Sequence, residues 1–585
     1  MFFSLLDTIK KISKVVNNDN KSRIFYLIII LIAVSVLELL SLGLLPTLIA
    51  KIFIISDVPP VIKIILDFFY LESITSLIIF ISFIFLFKFI ALFYANYFEL
   101  ITLRKLRVFV SKSLITRYSQ KKYNFFVSNN LSLLSRNILV ESENFVGLIQ
   151  SLIIILREIS LLLVIFALLI IYQPTISFFI FSTLILASLL FYKLTDKVLK
   201  KIAIARIESL GATYKLVNQF FNLIKEIKIL KKENFFTNKF HLIKDKYESK
   251  LLISNLIQRL PKIFFELLTV IIFLFLMLYF ALYNKENLFD SLPFLGLIVI
   301  CMIKLLPSFN GISGALTHFQ SYLNSFHLIY EQINELEKTK DTSKQNLKSY
   351  IKEDEELFLK IKDLDFKYDT STLTSLFIKN LSIKKCEMIG IIGKSGSGKT
   401  TLINLILNLF DAQKGSILFY KNFEDIKIGH VPQDIEIFDD TLKNNIAFGV
   451  KEENIDNNKV YEIIQKAGLQ KFLEKNNFNL DMMLGDKGLK ISGGERQRIG
   501  IARSLYIDPD FLIFDEATSS LDIKTEKILL DEIEKLRGKI TTIFISHRLS
   551  ALEKCNMVYL IDSGKIIAKG TTKEILEKYP NLTIE

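Results

Sequence analysis

The apolar positions of this chain are concentrated at one end. Crossing a bilayer takes about 20 apolar residues at 1.5 Å each. Six such runs lie at roughly 24–50, 73–98, 144–172, 175–194, 263–283 and 287–310. The fourth is the shortest, with its start set by Pro174. Beyond residue 340 the pattern changes. Short, wholly apolar stretches such as Met388–Ile392 and Phe511–Phe514 read as buried parallel strands. The stretches LINLILNLF and IGIARSLY read as helices. The chain is thus expected to be a membrane half (1–340), a linker (341–354) and a soluble half (355–585).

Two long polar stretches between the runs, 99–143 and 193–262, have helical composition and very little Gly. They are expected to continue the spans as helices beyond the membrane. Each must turn once, at YNFFVSNNLS and LVNQFFNLIK. Phe125, Phe126, Phe220 and Phe221 in these turns either dock into a cleft of another domain or pack between helices.

Charge orients the membrane half. Between Ile101 and Tyr123 stand Arg104, Lys105, Arg107, Lys112, Arg117, Lys121 and Lys122, with no acid. The 51–73 loop holds Lys51 and Lys63 against Asp57, Asp67 and Glu72. Positive-inside reasoning places the N-terminus, both long basic loops and the C-terminal half in the cytoplasm. The excess of 73 Lys+Arg over 60 Asp+Glu is then a matter of topology and anionic lipid, not nucleic acid. With 51% hydrophobic residues the chain is not disordered. Three distant Cys exclude a disulfide framework and a clustered Cys zinc site, and five scattered His argue against a His-based metal site. Trp is absent, so an interfacial belt must come from Tyr and the 50 Phe. The first run is too long for a cleavable signal. Only about 23 residues precede it, so no fused peptidase domain is expected ahead of it.

The soluble half carries phosphate chemistry. Gly393-Lys394-Ser395-Gly396-Ser397-Gly398-Lys399-Thr400-Thr401 lies between an apolar strand and an apolar helix. Its glycines let backbone N–H groups approach phosphate oxygens, and the helix start adds positive dipole. Lys399 is placed for the β- and γ-phosphates and Thr400 for Mg²⁺. Asp515 ends the Phe511 strand and suits the magnesium shell. Glu516, one residue on, suits activation of a water. Ser492-Gly493-Gly494 opens a further helix and forms a second anion site. One nucleotide loop needs no second phosphate motif, so its presence suggests a nucleotide sandwiched between two copies of the domain.

The order GKSGSGKTT, ISGGERQR, FLIFDEATSSLD, FISHRLS resembles the nucleotide-binding domain of ABC transporters over roughly 355–585. That resemblance implies an α/β P-loop ATPase domain following a six-helix membrane domain of the exporter type, with helices extended into the cytoplasm. It implies ATP and Mg²⁺, with Glu516 and His547 as catalytic residues. Tyr368 resembles the adenine-stacking aromatic, Gln433 the Q-loop ligand of Mg²⁺, and Asp522 the D-loop residue. Gly485-Asp486-Lys487-Gly488 resembles a loop found in exporters. Glu495 replaces the commoner Gln, and the segment from Gly415 to Gln433 is shorter than the family's usual spacing. One set of motifs per chain implies a homodimer with two equivalent sites.

Ionisable residues inside spans mark function by default. Lys88, Arg157, Lys262 and Lys304 all fall about 22–31 Å below the outer surface, counted at 1.5 Å per residue. They form either a positive belt for an anionic headgroup or side chains snorkelling individually to the interface. Lys262 has Glu266, and Arg157 has Glu158, within local reach. Glu38 has no evident partner. The segment Val61–Phe69 is expected to be a short external helix or the start of the second span. Together with RLPKIFFELL and KLLPSFNGI, these features resemble bacterial flippases of lipid-linked oligosaccharides, although Gly311 stands where another basic residue is expected. The implied function is ATP-driven flipping of a polyprenyl-diphosphate-linked oligosaccharide across the bacterial inner membrane. A lipid, peptide or drug exporter of the same build, or an ATP-gated regulatory protein, remains the alternative.

Overall fold

A computed structural model describes residues 2–52, 66–70, 73–283, 292–338, 356–368, 376–485, 491–517 and 523–580. The chain divides into two compact units, residues 1–121 with 125–340, and residues 122–124 with 341–585.

The first unit is helical. Among its described residues, six helices are long and apolar enough to cross a membrane. Span one is Asn18–Gly43 continued by Leu45–Ile52, span two Ile74–Ser119, and span three Ser142–Tyr172. Spans four, five and six are Pro174–Asn222, Glu233–Tyr283 and Leu292–Lys338. Several far exceed the ~30 Å hydrocarbon layer at 1.5 Å per residue, so their polar ends project beyond it. Pro174 starts span four at its first turn, where a missing N–H costs nothing. Pro261 and Pro307 lie within spans five and six.

Spans three and six are closely apposed. The Phe145 and Phe326 rings stack at 5.1 Å, and a Cβ on Gly147 would meet the Tyr322 ring at 2.8 Å. The first turning sequence folds as two short helices, Tyr123–Ser128 and Leu131–Arg136, with Asn130 capping the second. The second breaks at Leu223 and completes its turn after Leu230, where Lys231 is left-handed (φ 53°). Phe220 and Phe221 meet edge-on there, with Phe221 exposed. Phe125 stacks on Tyr118 within the membrane unit. Residues 122–124 of the first turn group with the second unit. Of the expected external helix, Val61–Ile65 fall outside the described residues. Leu66 is buried beside Leu44, Leu77 and Ile81, while Phe68 and Phe69 are exposed.

The second unit holds a six-stranded sheet of order β5-β6-β7-β3-β8-β9 and a three-stranded antiparallel sheet β2-β1-β4. The strands are β1 Leu357–Phe366, β2 Leu376–Lys384, β3 Met388–Ile392, β4 Lys414–Phe419, β5 Ile428–Val431, β6 Phe511–Asp515, β7 Thr541–Ile545, β8 Met557–Asp562 and β9 Lys565–Gly570. The larger sheet is parallel except for the β8–β9 edge. Alternate residues of β6 enter different cores, Leu512 and Phe514 one, Phe511 and Ile513 the other. Burial on both faces is why β6 reads as unbroken apolar sequence. The short Gly415–Gln433 segment is spent on β4, a single 3₁₀ turn Phe423–Asp425, and β5.

Candidate functional site

The glycine loop follows β3 at the carboxyl edge of the parallel sheet, where open α/β sheets bind ligands. Gly393, Gly396 and Gly398 have φ of 156°, 79° and 105°. A Cβ on Gly393 would lie 2.1 Å from the Ile561 carbonyl oxygen, so that position admits no side chain. The loop runs directly into the helix Lys399–Ile406. Lys399 is buried and donates from Nζ to the carbonyl oxygens of Gly393 (2.7 Å) and Lys394 (3.2 Å). The Ser397 hydroxyl is buried with no hydrogen-bond partner. Tyr368 Oη lies 3.0 Å from Thr401 Oγ1, which ties the aromatic after β1 to the loop helix.

Asp515 and Glu516 lie on the next strand but one. Burial, and then the Glu516 charge, push the Asp515 carboxyl up to about 6, against the pull of Lys399. Burial lowers the Lys399 ammonium, opposed by Glu516 and Asp515. These reciprocal effects place the three charges in one electrostatic cluster. Glu516 has φ 53°, a left-handed conformation held by its N–H donating to Ile545 O at 3.0 Å. Such strain in a non-glycine residue is typical of a functional position. Its Oε1 is 3.4 Å from His547 Nε2. Both side chains remain partly exposed at 26% and 37%, so they can meet a ligand.

The residues fit a magnesium nucleotide. The loop is a cradle that a Cβ would fill, an orphaned hydroxyl faces no protein partner, and a buried carboxylate sits beside a buried ammonium. Lys399, Ser397 and the loop amides suit phosphate oxygens. Thr400 and Asp515 suit the cation.

Gln433 is exposed just after β5. Ser492 caps the helix Gly493–Tyr506 through a reciprocal box: its Oγ accepts from Glu495 N (3.3 Å), and Glu495 Oε2 accepts from Ser492 N (2.7 Å). Glu495 therefore serves the capping role open to Glu or Gln. Ser492 and Gly493 are exposed. Asp522 and Asp486–Gly488 fall outside the described residues.

In the membrane unit three of the four basic candidates, Lys88, Arg157 and Lys304, are paired. Lys88 Nζ is 2.9 Å from Glu38 Oε2 and donates to Ser41 Oγ at 3.0 Å. Lys304 Nζ is 3.1 Å from Glu38 Oε1. Glu38, which the sequence left without a partner, thus joins spans one, two and six, a triad of net charge +1. Arg157 pairs with Glu99 (3.4 Å) and Glu158 (3.0 Å), a triad of net charge −1. The expected row of unopposed positive charge is consequently two mixed clusters. Lys262 is exposed and pairs with neither Glu266 nor another acid among the described residues. A Cβ on Gly311 would be 3.0 Å from Glu158 Cγ, so a side chain there would require Glu158 to shift. Glu99 and Ser41 were missed in the sequence. An acid one helix away from a span arginine has no signature in linear spacing.

Residues 377–519 match the ABC transporter family model, and residues 24–303 match that of the ABC transporter transmembrane region. An ATP-dependent lipid A-core flippase of Coxiella burnetii is 38% identical over 225 residues, 36% of this chain and 37% of that protein. The heterocyst differentiation ATP-binding protein HepA of a Nostoc species is 33% identical over 293 residues, 47% and 46% of the two chains. The chain thus aligns with less than half the length of these curated relatives. A bacterial Atm1-family ABC exporter solved with ATP bound superposes with a TM-score of 0.77 at 17% identity, covering 96% of this chain and 97% of its own. That likeness extends over both units and establishes the exporter fold. The chain belongs to the ABC transporters, as a half-transporter that carries one membrane domain and one ATP-binding domain.

Proposed function

We propose that two copies of this chain form an exporter that uses ATP to flip a polyprenyl-diphosphate-linked oligosaccharide across the bacterial inner membrane. The observation that carries the dimer is the exposed start of the Gly493–Tyr506 helix, a capped anion-binding end that serves no described group in its own chain. A second copy would bring that end to the glycine loop, which supplies the other half of the phosphate contacts.

Within each site the chain's own groups divide the work. The loop amides and Lys399 bind and orient the phosphates. Tyr368 would stack on the base and Gln433 would face the nucleotide; the role of Asp522 rests on its motif alone. Thr400, Gln433 and Asp515 would hold Mg²⁺, which would supply charge neutralisation at the phosphates. Glu516 takes the proton of the attacking water, and His547, in reach of its carboxylate, fixes its orientation.

The lipid assignment is supported by charged side chains on several spans, including the exposed Lys262 and the half-exposed Lys304. A flippase among the relatives is named for lipid A-core, which is consistent with a lipid cargo. The test is ATPase activity of the purified full chain in phosphatidylcholine nanodiscs with single lipids added. Stimulation by a polyprenyl diphosphate is expected, and selective stimulation by a neutral amphiphile or a peptide would overturn the lipid reading. Turnover by a chain that stays monomeric at all concentrations would overturn the dimer.

A further inference from the structure

We propose that Glu38 is a built-in counter-ion. Its carboxylate occupies the place of the transported lipid's phosphate, and the lipid displaces it from Lys304. This rests on the reading that the spans carry an anionic lipid.

The geometry is asymmetric. Lys88 is buried and doubly held, by Glu38 Oε2 at 2.9 Å and by Ser41 Oγ at 3.0 Å. Lys304 is 41% exposed, and its ammonium approaches Oε1 at 3.1 Å. That buried oxygen makes no hydrogen bond of good geometry. One end of the triad is therefore fixed and the other is loose. The three residues lie on three helices, each about 20 Å from the loop end of its span at 1.5 Å per residue, and all well inside the apolar layer.

Two lysines at that depth without an acid are expensive. With one acid they are tolerable but still carry net +1, so the cluster attracts a second anion. An anion arriving from the exposed side meets Lys304 first. When it takes Lys304, Glu38 keeps Lys88, and no buried charge is stranded. When it leaves, Glu38 re-pairs with Lys304. A phosphate monoester or diphosphate can make this exchange, because Lys binds it as a point charge. A neutral lipid has nothing to exchange. Glu38 is here a positioning residue that sets both selectivity and release.

The apparent affinity of a site that must first open is reduced by its open fraction. A partly exposed ion pair holds the site closed by about fivefold, or about 1 kcal/mol at 1.4 kcal/mol per decade. The experiment measures ATPase stimulation of the full chain in phosphatidylcholine nanodiscs, titrated with polyprenyl diphosphate, phosphatidylglycerol or free pyrophosphate. Glu38→Gln is expected to lower the half-stimulating amount about fivefold, and Lys304→Gln to raise it. The double variant Glu38→Gln with Lys88→Met removes the stranded buried ammonium and is expected to keep the lowered midpoint. A merely structural triad would shift melting temperature in all three variants and leave the midpoints together. That outcome, or shifts of the same sign in Glu38→Gln and Lys304→Gln, overturns the proposal. A shifted midpoint with phosphatidylglycerol but no response to polyprenyl diphosphate sustains the counter-ion and overturns the assigned lipid. A response to free pyrophosphate alone sustains the exchange but makes the free anion its ligand. No response in any arm overturns both.

Discussion

Replacing Asp515 by Asn separates what this residue does for function from what it costs the fold. Its carboxyl is raised from 3.8 to about 6, first by burial and then by Glu516. A raised carboxyl means that the folded state binds its proton more tightly than the unfolded chain does. The cost of the buried charge is therefore complete above pH 6. It is relieved as pH falls from about 6 toward 4. A shift of about two units at about 1.4 kcal/mol each sets the cost near 3 kcal/mol at pH 7.5. That figure is already net of the attraction to Lys399, and Asn still buries a polar amide, so a gain of about 2 kcal/mol is expected. For a unit of this size that is about 4–8 °C. The assay is scanning calorimetry of the full chain at pH 7.5 and 5.5, with and without Mg·ATP. Without nucleotide, Asp515→Asn should melt higher than wild type at pH 7.5, and the gap should narrow at pH 5.5. With nucleotide at about 100 Kd, wild type should gain about 2.7 kcal/mol. The variant should gain little, so the order of the two closes or reverses. If the variant melts at or below wild type without nucleotide at pH 7.5, the account of Asp515 as a strained, buried charge is wrong.

Other expectations follow from the same geometry. Glu516→Gln should abolish ATP hydrolysis yet leave an ATP-bound dimer that persists in size-exclusion chromatography, and retained turnover would falsify its assignment as the base. Gly393→Ala forces a methyl against the Ile561 carbonyl. It should cost about 3 kcal/mol and remove nucleotide binding by fluorescence titration. Lys262→Ala should reduce flipping of a fluorescent lipid more than it reduces basal ATPase, since Lys262 is exposed and holds no ion pair among the described residues. Equal loss of both would remove it from the lipid path.

The contrast between what was legible in the chain and what was not follows the range of the interactions. The nucleotide site is built from contiguous stretches: a loop whose glycines must take positive φ, a strand buried on both faces, and a helix with its cap three residues from its partner acid. Each constraint acts within a few residues, so it leaves a local signature. Six apolar runs are equally local, because a bilayer imposes length on each helix by itself. The ion pairs among the spans are different. Glu38 meets Lys88 and Lys304 across three helices, and no spacing rule links positions so far apart. A belt of four cations was the natural reading of four basic residues at one depth, because depth is local information and partnership is not. Gly311 shows the same limit from the other side. Its lack of a side chain looked like a missing charge, whereas in the fold it is the place where the Glu158 side chain packs against the neighbouring helix. Burial in an apolar layer demands compensation for nearly every charge. A span carrying a lone Lys or Arg is thus better read as evidence for an acid on another helix, and only what stays unpaired after that search bears on the ligand. By that criterion Lys262 and the loose end at Lys304 are, of the four basic candidates, the two that still have positive charge to offer among the described residues.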